Sequence, residues 1–269
     1  MTQKNLLIIG GGNMASAIVR GALQRGFSAD RFTVAEPDAA RRAAFQALGV
    51  RTNPAATREI VGALPPGDQI LLAIKPQSLP DLAAQLRPLG PRVVISILAG
   101  TTTARIADAL GGAARVVRIM PNTPARIGLG CAALALGTTT LPEDAALARD
   151  LFSAVGIVLD LPEAQFDAFT ALAGSGPAYL FLLAEAMARA GAVAGLPPDI
   201  ADAATRQTLH GAAALLAQTP DAPEALRAAV TSRGGTTEAA LAALDPALFI
   251  ERMATAIRAA RDRGATLSA

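Results

Sequence analysis

The chain has 269 residues, 52% of them hydrophobic, and a mean hydropathy of +0.38, which suffices to bury a substantial core. Its 24 basic and 22 acidic residues leave a net charge of +2 without any basic-aromatic run, so the composition gives no sign of nucleic-acid binding. With one cysteine and one histidine, the chain can form neither an internal disulfide nor a Cys/His metal site. Its apolar stretches are too short to span a membrane and its first residues do not resemble a signal peptide, so we predict a cytoplasmic protein without membrane contact.

Short β-branched runs alternate with helical stretches through residue 161. The predicted strands are Leu6–Ile9, Phe32–Ala35, Ile70–Ile74, Val93–Ile97, Val116–Met120 and Ala132–Leu136. The predicted helices between them are Ala15–Gln24, Ala39–Leu48, Leu79–Leu86 and Thr103–Ala109. This alternation predicts an α/β fold with a doubly wound (Rossmann-type), mostly parallel sheet that is covered by helices on both faces.

Beyond Leu161-Pro162 the strand-like runs disappear and the remaining chain fits helices. These are predicted at Phe166–Ala173, Tyr179–Ala194, Asp199–Leu216, Pro223–Val230, Thr236–Leu244 and Ala247–Asp262. We therefore predict two domains, an α/β domain over residues 1–161 and an all-helical C-terminal domain over residues 162–269. Because the helix Tyr179–Ala194 is apolar on almost every side, we expect the subunits to associate as a homodimer.

The segment Gly10-Gly11-Gly12-Asn13-Met14-Ala15 follows the first strand and opens the first helix in the pattern G-x-G-x-x-A. In such a segment Gly10 permits the tight turn, Gly12 lets the backbone approach a pyrophosphate, and Ala15 allows close packing of helix on strand. The free N–H groups and the dipole at the helix N-terminus favour phosphates. The pattern predicts a dinucleotide site, with a plain glycine turn as the alternative.

An acidic residue, Glu36, ends the second predicted strand. Its carboxylate is placed to accept hydrogen bonds from the adenosine ribose hydroxyls and to repel a 2′-phosphate, which favours NADH. Arg41 and Arg42 follow within the next helix and would favour NADPH instead. The alternative interpretation is that Glu36 and Asp38 cap the helix that begins at Ala39.

Two proline-containing segments follow later strand ends. Ala73-Ile74-Lys75-Pro76 contains one of the chain's few lysines, at the edge of the sheet where doubly wound folds bind ligands. In Met120-Pro121-Asn122-Thr123-Pro124 the two prolines restrict the backbone, so that the Asn122 amide could meet a nicotinamide carboxamide or a substrate. A solvated lysine and a plain turn are the respective alternatives.

Two motifs mark the helical half of the chain. Gly174-Ser175-Gly176-Pro177-Ala178-Tyr179 is predicted to break one helix and start another, with Pro177 in its first turn. The segment Thr231–Glu238 is a hydroxyl- and glycine-rich turn that opens a helix. Exposed N–H groups and hydroxyls of this kind suit a carboxylate, although a helix N-cap with flanking glycines explains the same residues.

In their order along the chain, these motifs resemble those of the pyrroline-5-carboxylate reductases. The matching segments read G-G-G-N-M-A, A-I-K-P, S-I-L-A-G-T-T, M-P-N-T-P, G-S-G-P-A-Y and V-T-S-R-G-G-T-T, and they cover nearly the whole chain. The resemblance implies reduction of the cyclic imine 1-pyrroline-5-carboxylate to L-proline by NADPH or NADH, in proline biosynthesis. It also implies a homodimer of interlocking C-terminal helices, a site built from two subunits and, in some members, a ring of dimers.

The resemblance further assigns the residues of the site. It implies that the cofactor contacts Gly10, Gly11, Gly12, Asn13, Met14, Glu36, Ala73, Ile74, Lys75, Pro76, Ile97, Leu98 and Ala99, and we add Asn122. It implies that the substrate contacts Thr231, Ser232, Gly234, Gly235, Thr236 and Thr237, with the Thr237 hydroxyl as the catalytic group next to the ring nitrogen. The chain departs from the usual signature at Arg233, where proline is common, and at Ala228, where an acid is frequent, which leaves the loop geometry open.

The scarcity of proton donors agrees with an imine as substrate. An imine can arrive protonated as an iminium and then needs orientation and exclusion of water, whereas carbonyl reduction usually needs a Lys, His or Tyr acid. We interpret His210 as an ordinary helix residue. The rival β-hydroxyacid dehydrogenases carry a catalytic lysine where Gly174–Leu180 has none. A non-catalytic nucleotide-sensing protein is the other alternative, and the intact Thr231–Thr237 segment disfavours it.

Overall fold

An eight-stranded sheet organises the N-terminal part of this computed structural model, which describes residues 4–268 and the side chains of residues 4–267. The strands are β1 Leu6–Ile9, β2 Phe32–Ala35, β3 Arg51–Asn53, β4 Gln69–Leu72, β5 Val93–Ser96, β6 Arg115–Met120, β7 Gly130–Leu136 and β8 Gly156–Asp160. Their order is β3-β2-β1-β4-β5-β6-β7-β8, and each neighbouring pair is parallel except β6 with β7. The predicted doubly wound, mostly parallel sheet is confirmed.

Helices cover the sheet and then continue alone towards the C-terminus. They are α1 Asn13–Gln24, α2 Ala39–Gln46, α3 Arg58–Gly62, α4 Leu79–Leu86, α5 Thr103–Ala109, α6 Ala146–Ser153, α7 Phe166–Phe169, α8 Gly176–Val193, α9 Pro198–Gln218, α10 Pro223–Ala229, α11 Thr236–Leu244 and α12 Pro246–Ser268. All ten helices predicted from the sequence are present; α4, α5 and α11 have their predicted bounds, and the other seven have shifted ends. The short α3 and α6 were not predicted.

The central strands are buried on both faces because their side chains alternate between two cores. Ile8, Leu71 and Ile95 contribute to the core under α1 and α6. The adjacent residues on the same strands, such as Leu7 and Ile70, contribute to the core under α4 and α5. This explains why the central strands read as continuous apolar runs in the sequence.

Two edge strands, β3 and β8, were missed by the sequence prediction. Arg51–Asn53 consists of three polar residues and lies at one edge of the sheet. In β8, at the other edge, the apolar residues Ile157 and Leu159 remain exposed. The sequence of β8 therefore lacks the apolar pattern that identifies a buried strand. Edge strands are specified by their one neighbour more than by their own sequence.

The chain breaks at the G-S-G-P-A-Y motif as the sequence predicted, because Ser175 is a bend and α8 begins at Gly176 with Pro177 in its first turn. Residues Thr170–Gly174 form a π-helical turn between α7 and α8, and the N–H of Ser175 donates to the carbonyl of Thr170 at 2.8 Å. The π-helical turn therefore ends the first helical segment directly before the predicted break. π-helical turns occur frequently at functional sites.

The described residues form two compact units. The sheet unit comprises the chain up to Ser175 together with the end of α12 from Ala260, and the helical unit comprises Gly176–Ala259. Within the sheet unit, a side chain at Gly100 would meet the Cβ atom of Leu267 at 3.2 Å, so the last turn of α12 packs on the loop after β5. The predicted domain boundary between residues 161 and 162 coincides with the change from strands to helices and stays a prediction.

The helical unit lacks a core of its own. Among its described residues, Ala201 and Thr205 are the two that are buried, and α8 and α9 approach closely where Gly191 faces Ala201. Large apolar side chains such as Phe181, which is 69% exposed, cover its surface. An apolar surface of this extent indicates a binding partner.

The run Glu163–Val193 is long and apolar enough to cross a membrane by length and composition, which is weak evidence on its own. Its exposed side chains equally fit a protein interface.

Candidate active site

The glycine-rich turn after β1 is held by main-chain contacts that admit no side chain at Gly10. Gly10 has φ +100°, and a Cβ atom there would lie 2.6 Å from the carbonyl oxygen of Ala73. Its N–H donates to the carbonyl of Ala35 at 2.8 Å. The turn is therefore clamped between the end of β2 and the segment after β4, as the sequence pattern requires.

In contrast to Gly10, the N-terminus of α1 borders unfilled space. Gly12 is the N-cap residue of α1, and no side chain among the described residues caps this helix end. A Cβ atom on Gly12 would meet nothing within 4 Å, while Ala15, one turn later, is 1% exposed and packs on the sheet. Uncapped N–H groups beside an unfilled space fit a dinucleotide pyrophosphate.

The Glu36 carboxylate lies beneath the glycine turn and holds it. Glu36 is 4% exposed, one carboxylate oxygen accepts from the N–H of Gly11 at 2.6 Å, and the other accepts from the N–H of Asp38 at 2.9 Å. Asp38 is the residue that caps α2, accepting from the N–H of Arg41 at 2.8 Å. Glu36 therefore does not cap the helix, and each oxygen keeps a lone pair for a ribose hydroxyl.

The two arginines after Glu36 differ in their freedom. The Arg42 guanidinium donates to the carbonyls of Glu36 and Pro37, at 2.8 Å and 2.7 Å. The side chain of Arg41 is 60% exposed and lies 3.9 Å from a Glu36 carboxylate oxygen. Of these two arginines, Arg41 is therefore the one that remains available to a phosphate.

The segments after β4 and β5 lie at the same edge of the sheet as the glycine turn. The N–H of Ala73 donates to the carbonyl of Ile9 at 2.8 Å, and the N–H of Ile97 donates to the carbonyl of Leu72 at 3.1 Å. Lys75 is exposed in the first of these segments. Because the sheet order reverses at β1 and β4, this edge is the switch-point crevice at which doubly wound sheets bind ligands.

The Asn122 amide is largely used within the protein. Its oxygen accepts from the N–H of Cys131 at 2.9 Å, and its nitrogen donates to the carbonyl of Ala173 in the π-helical turn at 3.0 Å. One amide hydrogen remains, so a contact with the cofactor stays a prediction. Burial raises the pKa of the Cys131 thiol, which keeps it protonated and weakly nucleophilic at neutral pH.

In the helical unit, the turn Thr231–Gly235 is stabilised by its own polar groups. The Thr231 hydroxyl donates to the carbonyl of Arg227 at 2.7 Å. The N–H of Gly234 donates to the Glu238 carboxylate at 2.7 Å, and the N–H of Gly235 donates to the carbonyl of Ser232 at 3.0 Å. The role of Glu238 was missed in the sequence, although an acid three residues after an N-cap is a helix-start signal.

The first turn of α11 keeps its donors free. Gly235 is the N-cap residue and provides no side-chain cap, so the N–H groups of the first turn have no partner inside the helix. Thr237 is partly exposed, and its hydroxyl makes no hydrogen bond to any residue between 4 and 268. Free N–H groups beside a free hydroxyl form a site for a small carboxylate.

Comparison with known proteins extends over both halves of the chain. A profile described as pyrroline-5-carboxylate reductase dimerisation matches residues 163–267, and one described as NADP oxidoreductase coenzyme F420-dependent matches residues 5–100. A pyrroline-5-carboxylate reductase from Synechocystis sp. is 41% identical over 267 residues, covering 97% of either chain. The structure of a pyrroline-5-carboxylate reductase from Coxiella burnetii matches with a TM-score of 0.90 at 35% identity, covering 99% of both chains. The Plasmodium falciparum pyrroline carboxylate reductase, solved with NADP bound, shares the fold with a TM-score of 0.85 at 23% identity, covering 100% of both chains.

The open space at Gly12 gives a test of the nucleotide site. Gly12→Ala should leave the melting temperature unchanged, because the added methyl group meets nothing within 4 Å. The methyl group should nevertheless weaken binding of NADPH and NADH by at least about tenfold, because the backbone must approach the pyrophosphate here. Cofactor affinity can be measured by fluorescence titration.

Gly62→Ala is the matched control, because this glycine also faces open space but lies in α3. It should leave the affinity unchanged and, as a glycine-to-alanine change within a helix, should leave the melting temperature equal to or slightly above that of the parent. Unaltered cofactor affinity in Gly12→Ala would contradict a pyrophosphate at this turn.

Proposed function

The chain belongs to the pyrroline-5-carboxylate reductase family, and from this premise we propose which of its residues carry the family's reaction. That reaction reduces the C=N bond of 1-pyrroline-5-carboxylate to L-proline with NADPH or NADH. The observation that carries the assignment is the 41% identity over 97% of the chain. The arrangement of donors at α1 and at α11 agrees with the two ligands that the reaction needs.

NADPH or NADH supplies the hydride when it is bound. The uncapped N-terminus of α1 holds the pyrophosphate, Glu36 accepts from the ribose hydroxyls, and the residues Ala73–Pro76 and Ile97–Ala99 line the nicotinamide end. Glu36 has a second task, since its contact with the N–H of Gly11 fixes the turn before the cofactor arrives. Glu36 disfavours a 2′-phosphate and Arg41 favours it, so both cofactors are accepted.

The substrate carboxylate binds at the N-terminus of α11. The N–H groups of Thr236, Thr237 and Glu238 form the first turn, and the helix dipole favours an anion there. The Gly234 and Gly235 N–H groups are already used within the turn, so these glycines act by shaping the backbone. The free Thr237 hydroxyl orients the ring nitrogen or donates to it.

The helical unit associates with a second copy of the chain. The match of residues 163–267 to a dimerisation profile and the near absence of buried residues among those described in this unit both support association. We propose that residues 1–161 bind the dinucleotide and that residues 162–269 bind substrate and form a homodimer, alone or repeated in a ring of dimers. The apolar run Glu163–Val193 then faces protein and not lipid, and the enzyme resides in the cytoplasm.

Turnover by the purified protein tests the reaction directly. Addition of 1-pyrroline-5-carboxylate should oxidise NADPH or NADH, measured as loss of absorbance at the reduced-nicotinamide band, with L-proline formed in equal amount. No turnover with either cofactor in folded, associated protein would refute the function.

Replacement of Glu36 by serine should change both affinity and preference. Both cofactors should bind more weakly, because the N–H of Gly11 loses its acceptor. The ratio of kcat/KM for NADPH over NADH should rise by about tenfold, because a negative charge no longer faces the 2′-phosphate. Asp30→Ser removes an exposed acid elsewhere and should leave the ratio unchanged. A constant ratio in Glu36→Ser would remove Glu36 from the ribose site.

Thr237→Val removes the free hydroxyl while keeping the shape of the side chain. We expect kcat/KM for the imine to fall by roughly 10²-fold, the scale for loss of one preorganised donor. A fall in kcat shows that the hydroxyl donates as hydride arrives, whereas a rise in KM alone shows that it orients an iminium. Thr255→Val, an exposed helix position whose hydroxyl donates to the carbonyl of Glu251, is the matched control. Parental values of both constants in Thr237→Val would exclude the hydroxyl from the mechanism.

A further inference from the structure

A buried arginine lies inside the sheet unit, next to the nicotinamide end of the site. Arg118 is on β6, pairs in register with Ser96 at the end of β5, and is 3% exposed. Its guanidinium lies 4.6 Å above the centroid of the Phe166 ring and donates to the Glu163 carboxylate at 2.9 Å. Burial of a guanidinium is costly unless an anion accompanies it, so Arg118 fixes the position of the Glu163 carboxylate.

The same carboxylate binds the start of α5. One Glu163 oxygen accepts from the N–H of Thr103 at 2.8 Å, and the other accepts from the Thr103 hydroxyl at 2.8 Å. Thr103 is the first residue of α5. An anion at this helix end also interacts favourably with the helix dipole. Glu163 thus connects the buried charge of β6 to the first turn of α5.

The loop Ile97–Thr102 is fixed at both of its ends by these contacts. It leaves β5 at the switch-point edge, where the N–H of Leu98 donates to the buried Ser96 hydroxyl at 3.2 Å. It reaches α5 at Thr103, which Glu163 holds. Between the two ends, Thr101 is 3% exposed and its hydroxyl donates to the carbonyl of Ala99 at 3.3 Å. A shift of the first turn of α5 would therefore move the loop.

We propose that Glu163 is a positioning residue for hydride transfer, which acts through Thr103 on the loop Ile97–Thr102. The inference rests on the proposed function, in which this loop lines the nicotinamide end of the cofactor site. The carboxylate of Glu163 is bound by Thr103 and Arg118, so its contribution is the placement of the loop against the ring. Displacement of a reacting group by about 1 Å can cost on the order of 10²-fold in rate, so a hydrogen bond behind the loop has a kinetic effect.

The experiment measures the rate constant of a single turnover by stopped flow, with cofactor and enzyme mixed before the imine is added. Thr103→Val removes one hydrogen bond and leaves the Glu163–Arg118 pair intact. Its hydride-transfer rate constant should fall by about tenfold, and Thr103→Ser, which retains the hydroxyl, should restore it. Glu163→Gln should lower the rate constant further, because it also leaves the buried guanidinium without an anion.

Asp160→Asn is the matched control, because it removes the carboxylate from an exposed pair with Arg149 that lies at 2.6 Å in the same unit. Its rate constant should equal that of the parent. The amplitude of the transient reports how much protein is folded, so a purely structural role of Glu163 would lower amplitude and melting temperature and leave the rate constant unchanged. That result in Thr103→Val and Glu163→Gln would overturn this inference alone, whereas a parent protein without hydride transfer would overturn the proposed function as well.

Discussion

The main-chain contact between Gly10 and Ala73 sets the geometry of the nucleotide edge. A Cβ atom at Gly10 would lie 2.6 Å from the Ala73 carbonyl oxygen, so the first turn and the segment after β4 touch with nothing between them. The Glu36 carboxylate completes this arrangement from below through the N–H of Gly11. The open N-terminus of α1 is therefore presented by a rigid frame, and little rearrangement is needed when a dinucleotide binds.

In the proposed reaction, the helical unit contributes few polar groups to the substrate site. Imine reduction needs a grip on the carboxylate and a fixed ring more than it needs an acid, and the first turn of α11 offers N–H groups and the Thr237 hydroxyl for this. Glu238 holds the preceding turn through the N–H of Gly234, a contact in which the side chain at position 233 takes no part. Arg233, where the family signature usually has proline, is exposed.

The sequence predicted those parts of the fold and site that are written in local patterns. Strands such as Leu6–Ile9 have their predicted bounds because an apolar run between turn signals is a local property. The strand Arg51–Asn53 has no such pattern and exists through pairing with β2. The site residues differ in the same way. The role of Gly10 could be predicted from its neighbours in the sequence, whereas the role of Glu163 could not, because its partners Thr103 and Arg118 are 60 and 45 residues away. The hydrogen bond from the N–H of Gly11 to the Glu36 carboxylate also could not be predicted from the sequence, because it depends on how closely the ends of β1 and β2 approach.

The end of α12 belongs to the sheet unit, although it follows the whole helical unit in the chain. Domains fold mostly from the N-terminus as the chain leaves the ribosome, and the strands of the sheet unit emerge before any helix from α8 onward. Yet Leu267 packs on Gly100 in the loop after β5, and Ala260 onward belongs to the same unit. A nascent chain can therefore form its sheet early, but the residues that pack on this loop are synthesised only after the helices α8 to α11.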